Sequence, residues 1–511
     1  MTDQQRSDWL GCYGHPVLNT PHIDSIANSG TRFTNFHVAS PVCMPNRASF
    51  MTGRMPSLHG LRYNGCELPT TANTFIDVLS SAGYDTAAIG KSHLQPFTED
   101  DPRHLPDADD SNPRIIEEAW KREAAHSAES PANYTSQERY EINTPYFGFS
   151  HVEMATRHGT NVGGHYEQWF KANVPDWKTL RDPSSELAHN YTCPQAFRTA
   201  VPEECYSTSW IADRAIDYIE NQHANSNPFF AFVSFPDPHH PFNPPGKYWD
   251  MYSPADFDLP LPYTDHKNPP PPLQWMEDNY RNEGEQFTKQ TAMRVGEDEL
   301  RQAMALTAGM ISMIDDQIGR VIDSLKANGL FDNTVIIFNS DHGDYLGDFG
   351  LLLKGSLPFR SITQVPMIWS DPSNREKRTT DAMCSTIDIG PSILSRAGLA
   401  SYRGTQGRSF LKAMDGEEHR DELLIEFNEG QAKLGFTTPA RVRTLRTRDW
   451  RFTIYADQTW GELYDLIKDP DETHNLWDDP DYQTVKGDFA LRLSHHLTRQ
   501  MDESPRSLRM A

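Results

Sequence analysis

Residues 42 to 56, VCMPNRASFMTGRMP, set Cys43, Pro45 and Arg47 ahead of Ala48-Ser49 and a Thr52-Gly53-Arg54 turn. A single cysteine is, by type, most often a buried and inert thiol. Its surroundings here are unusual. Pro45 suits the first helical position and Gly53 suits a left-handed helix end, so the spacing predicts a helix with Cys43 at its N-terminus. Residues four apart share a helical face, which brings Arg47 to the side of Cys43, and the unpaired N–H groups of the first turn add positive potential. An anion is expected at that spot.

Further chemistry-bearing residues follow apolar runs. Lys91 and His93, in GKSHL, come directly after the run Thr86 to Ile89 and point one way if the chain stays extended. His239 and His240 lie in PDPHHPFNPP after Phe229 to Phe235, where prolines 238, 241, 244 and 245 stiffen the loop. Asp341 and His342, in NSDHG, follow Val335 to Phe338 and precede the turn residue Gly343, and Lys354 follows the apolar residues 351 to 353. Taken singly, these patterns also describe a solvated lysine, a loop-capping histidine or an Asx-turn.

The elements that carry them alternate. Apolar runs of strand length are separated by helical patterns at Thr74 to Ala82, Tyr206 to Glu220 and Leu300 to Ala327, which predicts an α/β fold with a largely parallel sheet covered on both faces. Ligands of such sheets bind beyond the carboxyl ends of the strands, where all three polar clusters fall. Residues 98 to 145, rich in Asp, Pro and Glu, and 243 to 290, with PPG and NPPPP, read as irregular insertions over the surface or the rim of the site. From about residue 400 the pattern changes, with Arg443 to Tyr455 alternating as a strand and GELYDL preceding a DPDE turn.

The CxPxR pattern at Cys43, with DQQR, GKSHL, PHHP, NSDHG and GELYDL, closely resembles the signature of type I sulfatases over nearly the whole chain. The resemblance implies an alkaline-phosphatase-like sandwich. A catalytic domain over residues 1–400 would be followed by a smaller domain over 401–484, with a short antiparallel sheet, and by a tail over 485–511 that could serve as an oligomer contact. It also implies that a separate maturase oxidises Cys43 to Cα-formylglycine, and that one divalent ion sits between Asp3, Gln4, the oxygen on residue 43, Asp341 and His342. Mostly oxygen ligands favour Ca²⁺, whereas an imidazole shifts the balance toward Mn²⁺ or another transition ion.

The function so implied is sulfuric ester hydrolysis, with the hydrated aldehyde as nucleophile and a covalent sulfo-enzyme intermediate. Arg47, Lys91 and Lys354 would bind the ester oxygens, and His239 would protonate the leaving oxygen, the PHxP pattern preferring it to His240. His93 would free sulfate from the intermediate. Asn64, in RYNG, is a weaker contact to the leaving group, while His158 and His165 either line the pocket or are structural. The alternative is a phosphonate monoester or phosphodiester hydrolase sharing the nucleophile, in which hydroxyl-bearing residues stand at the positions of Lys91 and His93. A non-catalytic relative would have lost motif residues, and a two-metal phosphotransferase would need a second ligand set that the sequence does not assemble. Aryl, alkyl, choline and sugar sulfates all remain open as substrates.

Composition sets the partners. The formal net charge of −24 over 511 residues disfavours nucleic acid and anionic membranes. An anionic small-molecule ester then needs a local cluster of cations to overcome a field that salt screens over about 8 Å. No apolar run approaches the length of a membrane span. Six cysteines without CxxC spacing predict reduced thiols. With no secretory signal pattern ahead of the first motif, the expectation is a cytoplasmic homo-oligomer, dimer or tetramer. Asp3 matches the first acidic ligand of the sulfatase pattern but lacks the apolar strand that precedes it there, and so near a terminus it is expected to fray.

Overall fold

The computed structural model describes residues 1–98, 128–222, 227–282, 291–505 and 507–508. In its centre the strand Asp85–Gly90 pairs in parallel with His151–Thr156 on one side and with Phe229–Ser234 on the other. A second group runs from Ile336–Asn339 through Met367–Ser370 to Thr31–Phe33 in antiparallel pairs, and Arg378–Thr380 joins Thr31–Phe33 in parallel.

The chain's first residues join these two groups. Met1 donates its amino group to the Val233 carbonyl at 2.8 Å and accepts the Phe235 N–H at 2.9 Å. Thr2 donates to the Asn339 carbonyl, accepts from Asp341 N–H and bridges Ser340 in parallel. Asp3 is fully buried, so the expected fraying does not occur. The backbone groups of residues 1 to 3 are spent on strand pairing, and that pairing fixes the side chains that follow. Behind Met1, between Phe229–Ser234 and Ile336–Asn339, lies an apolar pocket of about 650 Å³, open to solvent and lined by Phe230, Phe232, Ile337, Phe338, Ile322 and Trp369.

Helices cover both faces. Ser207–Gln222 and Glu297–Ala327 bury Trp210, Ile211, Met313 and Ile314 against Ala87 and Ile89. On the other side Cys43–Thr52, Phe75–Ser81 and Ile389–Arg396 bury Phe50, Phe75 and Ile389 with Ala88 and Phe232. Phe75–Ser81 starts as its sequence dictates, in a capping box where Thr74 and Asp77 satisfy each other's backbone N–H. Full burial of each large apolar side chain contributes about 1.5–3 kcal/mol.

Two expectations need correction. The NPPPP segment is not irregular: Pro271–Arg281 is a helix, because prolines in the first turn give up N–H groups that have no partner there. Arg443 to Tyr455 is not one strand but the facing halves of Arg441–Thr447 and Trp450–Tyr455. The reversal forms because Thr447 Oγ1 accepts the N–H groups of Asp449 and Trp450 at 3.3 and 3.0 Å. These two strands, with Glu422–Asn428 and Gly461–Asp465, make a four-stranded antiparallel sheet. Helix Gln483–Arg499 lies on it, with Phe489 6.0 Å from Phe452 between ring centroids. Of the insertion expected over 98 to 145, residues 99 to 127 lie outside the described residues, as do 283 to 290 of the second.

Candidate active site

Cys43 opens the helix Cys43–Thr52, and Gly53 closes it at φ 60°, the left-handed end that its residue type predicts. Pro45 stands at the third rather than the first helical position, still within the turn whose N–H groups have no helical acceptor. Three strand ends and the bridged Thr2 bring side chains toward the thiol: Lys91 after Asp85–Gly90, His239 after Phe229–Ser234, Asp341 with His342 after Ile336–Asn339, and Asp3 after Thr2.

Ligand atoms of Asp3, Cys43, Asp341 and His342 lie within 4.8 Å of one another, all buried. His342 bonds the Gly343 carbonyl through Nδ1 at 2.8 Å, which leaves Nε2 facing the cluster. Both His342 Nε2 and Asp3 Oδ1 are buried without a hydrogen-bond partner. An uncompensated buried carboxylate oxygen beside an uncompensated imidazole nitrogen is costly for a protein alone and is what a divalent cation would satisfy. The donor set therefore fits a metal. A second group, Asp3, His158 and His239, is equally close, a juxtaposition that the sequence did not reveal. The Lys91 ammonium lies against both Asp3 and His158.

Arg47 is turned toward the carboxylates. Its Nε donates to Asp341 Oδ2 at 2.7 Å and Nη2 to Asp3 Oδ2 at 3.1 Å, while Nη1 reaches the Lys91 carbonyl and Ser234 Oγ at 2.8 and 2.9 Å. It thus fixes the acidic residues, where the sequence suggested a contact to ester oxygens. The reason is electrostatic: two buried carboxylates attract the planar guanidinium more strongly than an open pocket does.

Lys354 is the cation that faces residue 43. Its Nζ lies 3.6 Å from Cys43 Sγ, 2.6 Å from Gln4 Oε1 and 2.9 Å from His239 Nε2. Gln4 is therefore engaged through Oε1 by Lys354, and through Nε2 by Asp344 and His240 at 2.5 and 3.2 Å. Asn64 Nδ2 stands 3.8 Å from Cys43 Sγ, so this weaker candidate also reaches the site. Of the two further histidines, His158 stacks on His239 with ring centroids 3.6 Å apart, whereas His165 is bonded to Met154 N–H and the Tyr140 carbonyl and is structural. His93 is buried, has φ 55° and lies flat on Phe97 at 3.9 Å, with Nδ1 unpartnered.

Electrostatics follow from this crowding. Burial alone would raise the Asp3 carboxyl, but Lys91 and Arg47 hold it well below the usual range. Burial likewise works to raise the Cys43 thiol, and Lys354 and Lys91 bring it down to about 6. The position of residue 43 is thus built to carry negative charge. Burial pushes His93, His158 and His239 well below the ordinary imidazole value, with neighbouring cations and histidines adding to the shift, so all three are neutral at pH 7. His342 goes the other way, because Asp341 and Cys43 outweigh its burial and the Lys354 charge.

Residues 1–399 match the family model described as Sulfatase, and residues 347–500 match that of the N-sulphoglucosamine sulphohydrolase C-terminal part. The chain is 27% identical over 491 residues to an arylsulfatase of Clostridium perfringens (strain 13 / Type A), covering 94% of this chain and 90% of that one. It is 29% identical over 510 residues to the uncharacterized sulfatase YidJ of Escherichia coli (strain K12), covering 98% and 87%. In fold it is similar to the crystal structure of the phosphonate monoester hydrolase of Agrobacterium radiobacter, at TM-score 0.74 and 24% identity over 98% of this chain and 95% of that one. The buried Asp, Cys, Asp and His cluster at the carboxyl ends of the strands and the match over residues 1–399 together make this chain a member of the sulfatase family, hydrolases with the alkaline-phosphatase-like fold.

Proposed function

We propose that this chain hydrolyses esters of singly charged tetrahedral groups, taking phosphonate monoesters or phosphodiesters and sulfate monoesters in one pocket. The observation that carries the reading is the placement of Cys43 Sγ within the cluster of Asp3, Asp341 and His342, 3.6 Å from the Lys354 ammonium. The likeness in fold to a phosphonate monoester hydrolase weighs for the phosphonate and phosphodiester class ahead of the sulfate class. Lys91 and His93, where that class would carry hydroxyl-bearing residues, support sulfate.

Asp3, Asp341, His342 and residue 43 would hold one divalent cation, Ca²⁺ or Mn²⁺, with Gln4 beside them. When bound, such an ion supplies positive charge for the transferred group, and oxidation of Cys43 by a maturase supplies an aldehyde whose hydrate offers the attacking hydroxyl. The chain's own residues do the rest. Arg47 keeps both carboxylates in place, and Lys91 and Lys354 supply the positive charge that faces the anion. His239 donates Nδ1–H to the His240 carbonyl at 2.6 Å, so its Nε2 accepts from the Lys354 ammonium, and the proton passed from Nζ to Nε2 is the one delivered to the departing oxygen, Lys354 being reprotonated from solvent afterwards. His93, neutral and with Nδ1 unpartnered, is the base that completes turnover.

The same reading divides the chain at about residue 400. The packing of Gln483–Arg499 on the C-terminal sheet supports extending the second unit to 499. Six free thiols support a reducing, cytoplasmic compartment, and no helix among the described residues is long and apolar enough to cross a membrane. A homo-oligomer and a maturase complete the proposed partners.

The test is a panel of phosphonate monoesters, phosphodiesters, sulfate monoesters and phosphate monoesters, assayed on metal-loaded protein whose aldehyde has been verified by peptide mass spectrometry. Turnover of the singly charged classes is expected. Hydrolysis confined to the doubly charged phosphate monoesters, or full activity with an unmodified thiol, would overturn the reading.

A further inference from the structure

Glu129 lies outside every motif, yet its carboxylate is fully buried beside the site. Oε2 accepts the His93 N–H at 3.0 Å, and Oε1 accepts the N–H groups of Leu94 and Gln95 at 2.7 and 3.1 Å and the Tyr146 hydroxyl at 2.7 Å. Three successive backbone N–H groups converging on one carboxylate form a concave anion nest, here filled from within the protein. The first of the three belongs to His93, whose φ of 55° is a left-handed conformation that a residue with a Cβ adopts only when its surroundings hold it there. On the other side of the turn, Lys91 donates its N–H to the Ser234 carbonyl and accepts Arg47 Nη1 on its own carbonyl. The segment from Lys91 to Gln95 is therefore pinned at both ends, by the sheet and Arg47 before His93 and by Glu129 from His93 onward.

We propose that Glu129 is a positioning residue for His93: it holds the left-handed turn that lays the imidazole on Phe97 and keeps Nδ1 free of protein partners. The proposal rests on the reading of His93 as a working residue of the reaction. Among the described residues Glu129 itself bonds backbone N–H groups and a tyrosine, so an effect on turnover passes through the turn. Glu129→Gln is the informative change. It keeps the volume, removes the negative charge shared by all three and, in either amide orientation, puts an NH₂ group against a backbone N–H.

The experiment combines hydrogen exchange with a double-variant cycle on the full-length, metal-loaded, aldehyde-bearing protein. In the wild type the amides of residues 93 to 95 should be protected to the level of the Asp85–Gly90 strand. In Glu129→Gln their exchange should rise roughly 10–100-fold, the factor carried by a charge-assisted hydrogen bond, while the strand stays unchanged. On kcat/KM, Glu129→Gln should lose on the order of 100-fold, as expected for a displaced catalytic group, and adding it to His93→Ala should change that variant by no more than about twofold. Rapid exchange at 93 to 95 in the wild type would overturn the proposal without any variant having to fold. Losses that multiply in the double variant would overturn it too. Wild-type turnover by His93→Ala would remove His93 from the reaction and the proposal with it, an outcome recognisable as a failure of the functional reading because the exchange pattern would still show the pinned turn.

Discussion

Lys354 Nζ stands 2.9 Å from His239 Nε2 with both side chains buried, and since an ammonium offers only donors, the imidazole nitrogen is the acceptor. The pair thus shares one proton at the mouth of the candidate nucleophile. His239→Ala should therefore cost little with a good leaving group such as 4-nitrophenolate and much more with an alkoxide, which needs the proton as it departs. The check is kcat/KM across leaving-group pKa, and an equal loss throughout would take His239 out of the acid role. Lys354 is among the charges that depress the His239 pKa, so Lys354→Met should move the imidazole titration, followed by NMR, upward from its present low value.

Asp341 has two functions in the geometry, facing the cluster and holding Arg47 Nε at 2.7 Å. Asp341→Ala should abolish retention of the divalent ion, measured by elemental analysis after dialysis. It should also destabilise the fold, by up to about 3–5 kcal/mol, because the buried Arg47 guanidinium keeps Asp3 but loses the nearer of its two carboxylates. Retained activity at unchanged metal content would show that this carboxylate is not a ligand.

Lys91 and His93 are the residues by which the two ester classes should be told apart. Replacing both by hydroxyl-bearing residues should lower sulfate-ester hydrolysis by about 10²–10³ and phosphonate-ester hydrolysis by less. The ratio of kcat/KM values on matched esters measures it. A parallel fall would leave the sulfate class without residue-level support.

Away from the site, Asp388 is buried between Arg420 Nε at 3.0 Å, His419 Nε2 at 3.2 Å and the N–H groups of Ser385 and Arg408 at 3.0 and 2.8 Å. Burial works to raise its pKa, but Arg420 and His419 outweigh it and hold the carboxyl well below the usual range. A carboxyl depressed in the folded state contributes stability above its unfolded pKa of about 4, and loses it as pH falls through the folded value. Asp388→Ala should cost about 3–5 kcal/mol at pH 7 and flatten the acid limb of a urea-unfolding series below pH 4. An unchanged acid limb would show that another carboxyl governs it.

Much of the site was legible because its residues sit where a parallel sheet must put them. Asp341, His342, Lys91 and His239 each follow a recognisable apolar run, and helix spacing puts Cys43 and Arg47 on one face, while the resemblance of CxPxR to the sulfatase signature singles them out. What the sequence hid is of two kinds. The anchoring of Met1 to Asp3 uses backbone groups of Val233 and Asn339, more than two hundred residues away, so no local pattern reports it. Glu129 binds backbone N–H groups, which every residue type carries, and its insertion reads as irregular. The reversal at Arg448-Asp449 escaped because alternation continues through it without Gly, Pro or Asn-Gly, the turn being made by a threonine hydroxyl.

The apolar pocket behind Met1 leaves Phe229–Ser234 and Ile336–Asn339 joined through the backbone of Met1 and Thr2. Phe230, Phe232, Ile337 and Phe338 line that space of about 650 Å³, so the seam there rests on few backbone hydrogen bonds and is a place for local opening. Asp3 hangs from the same seam through the pairing of Met1 and Thr2. Local opening of this seam is therefore coupled to the candidate metal cluster, whose geometry would be disturbed by an opening that leaves the C-terminal sheet intact.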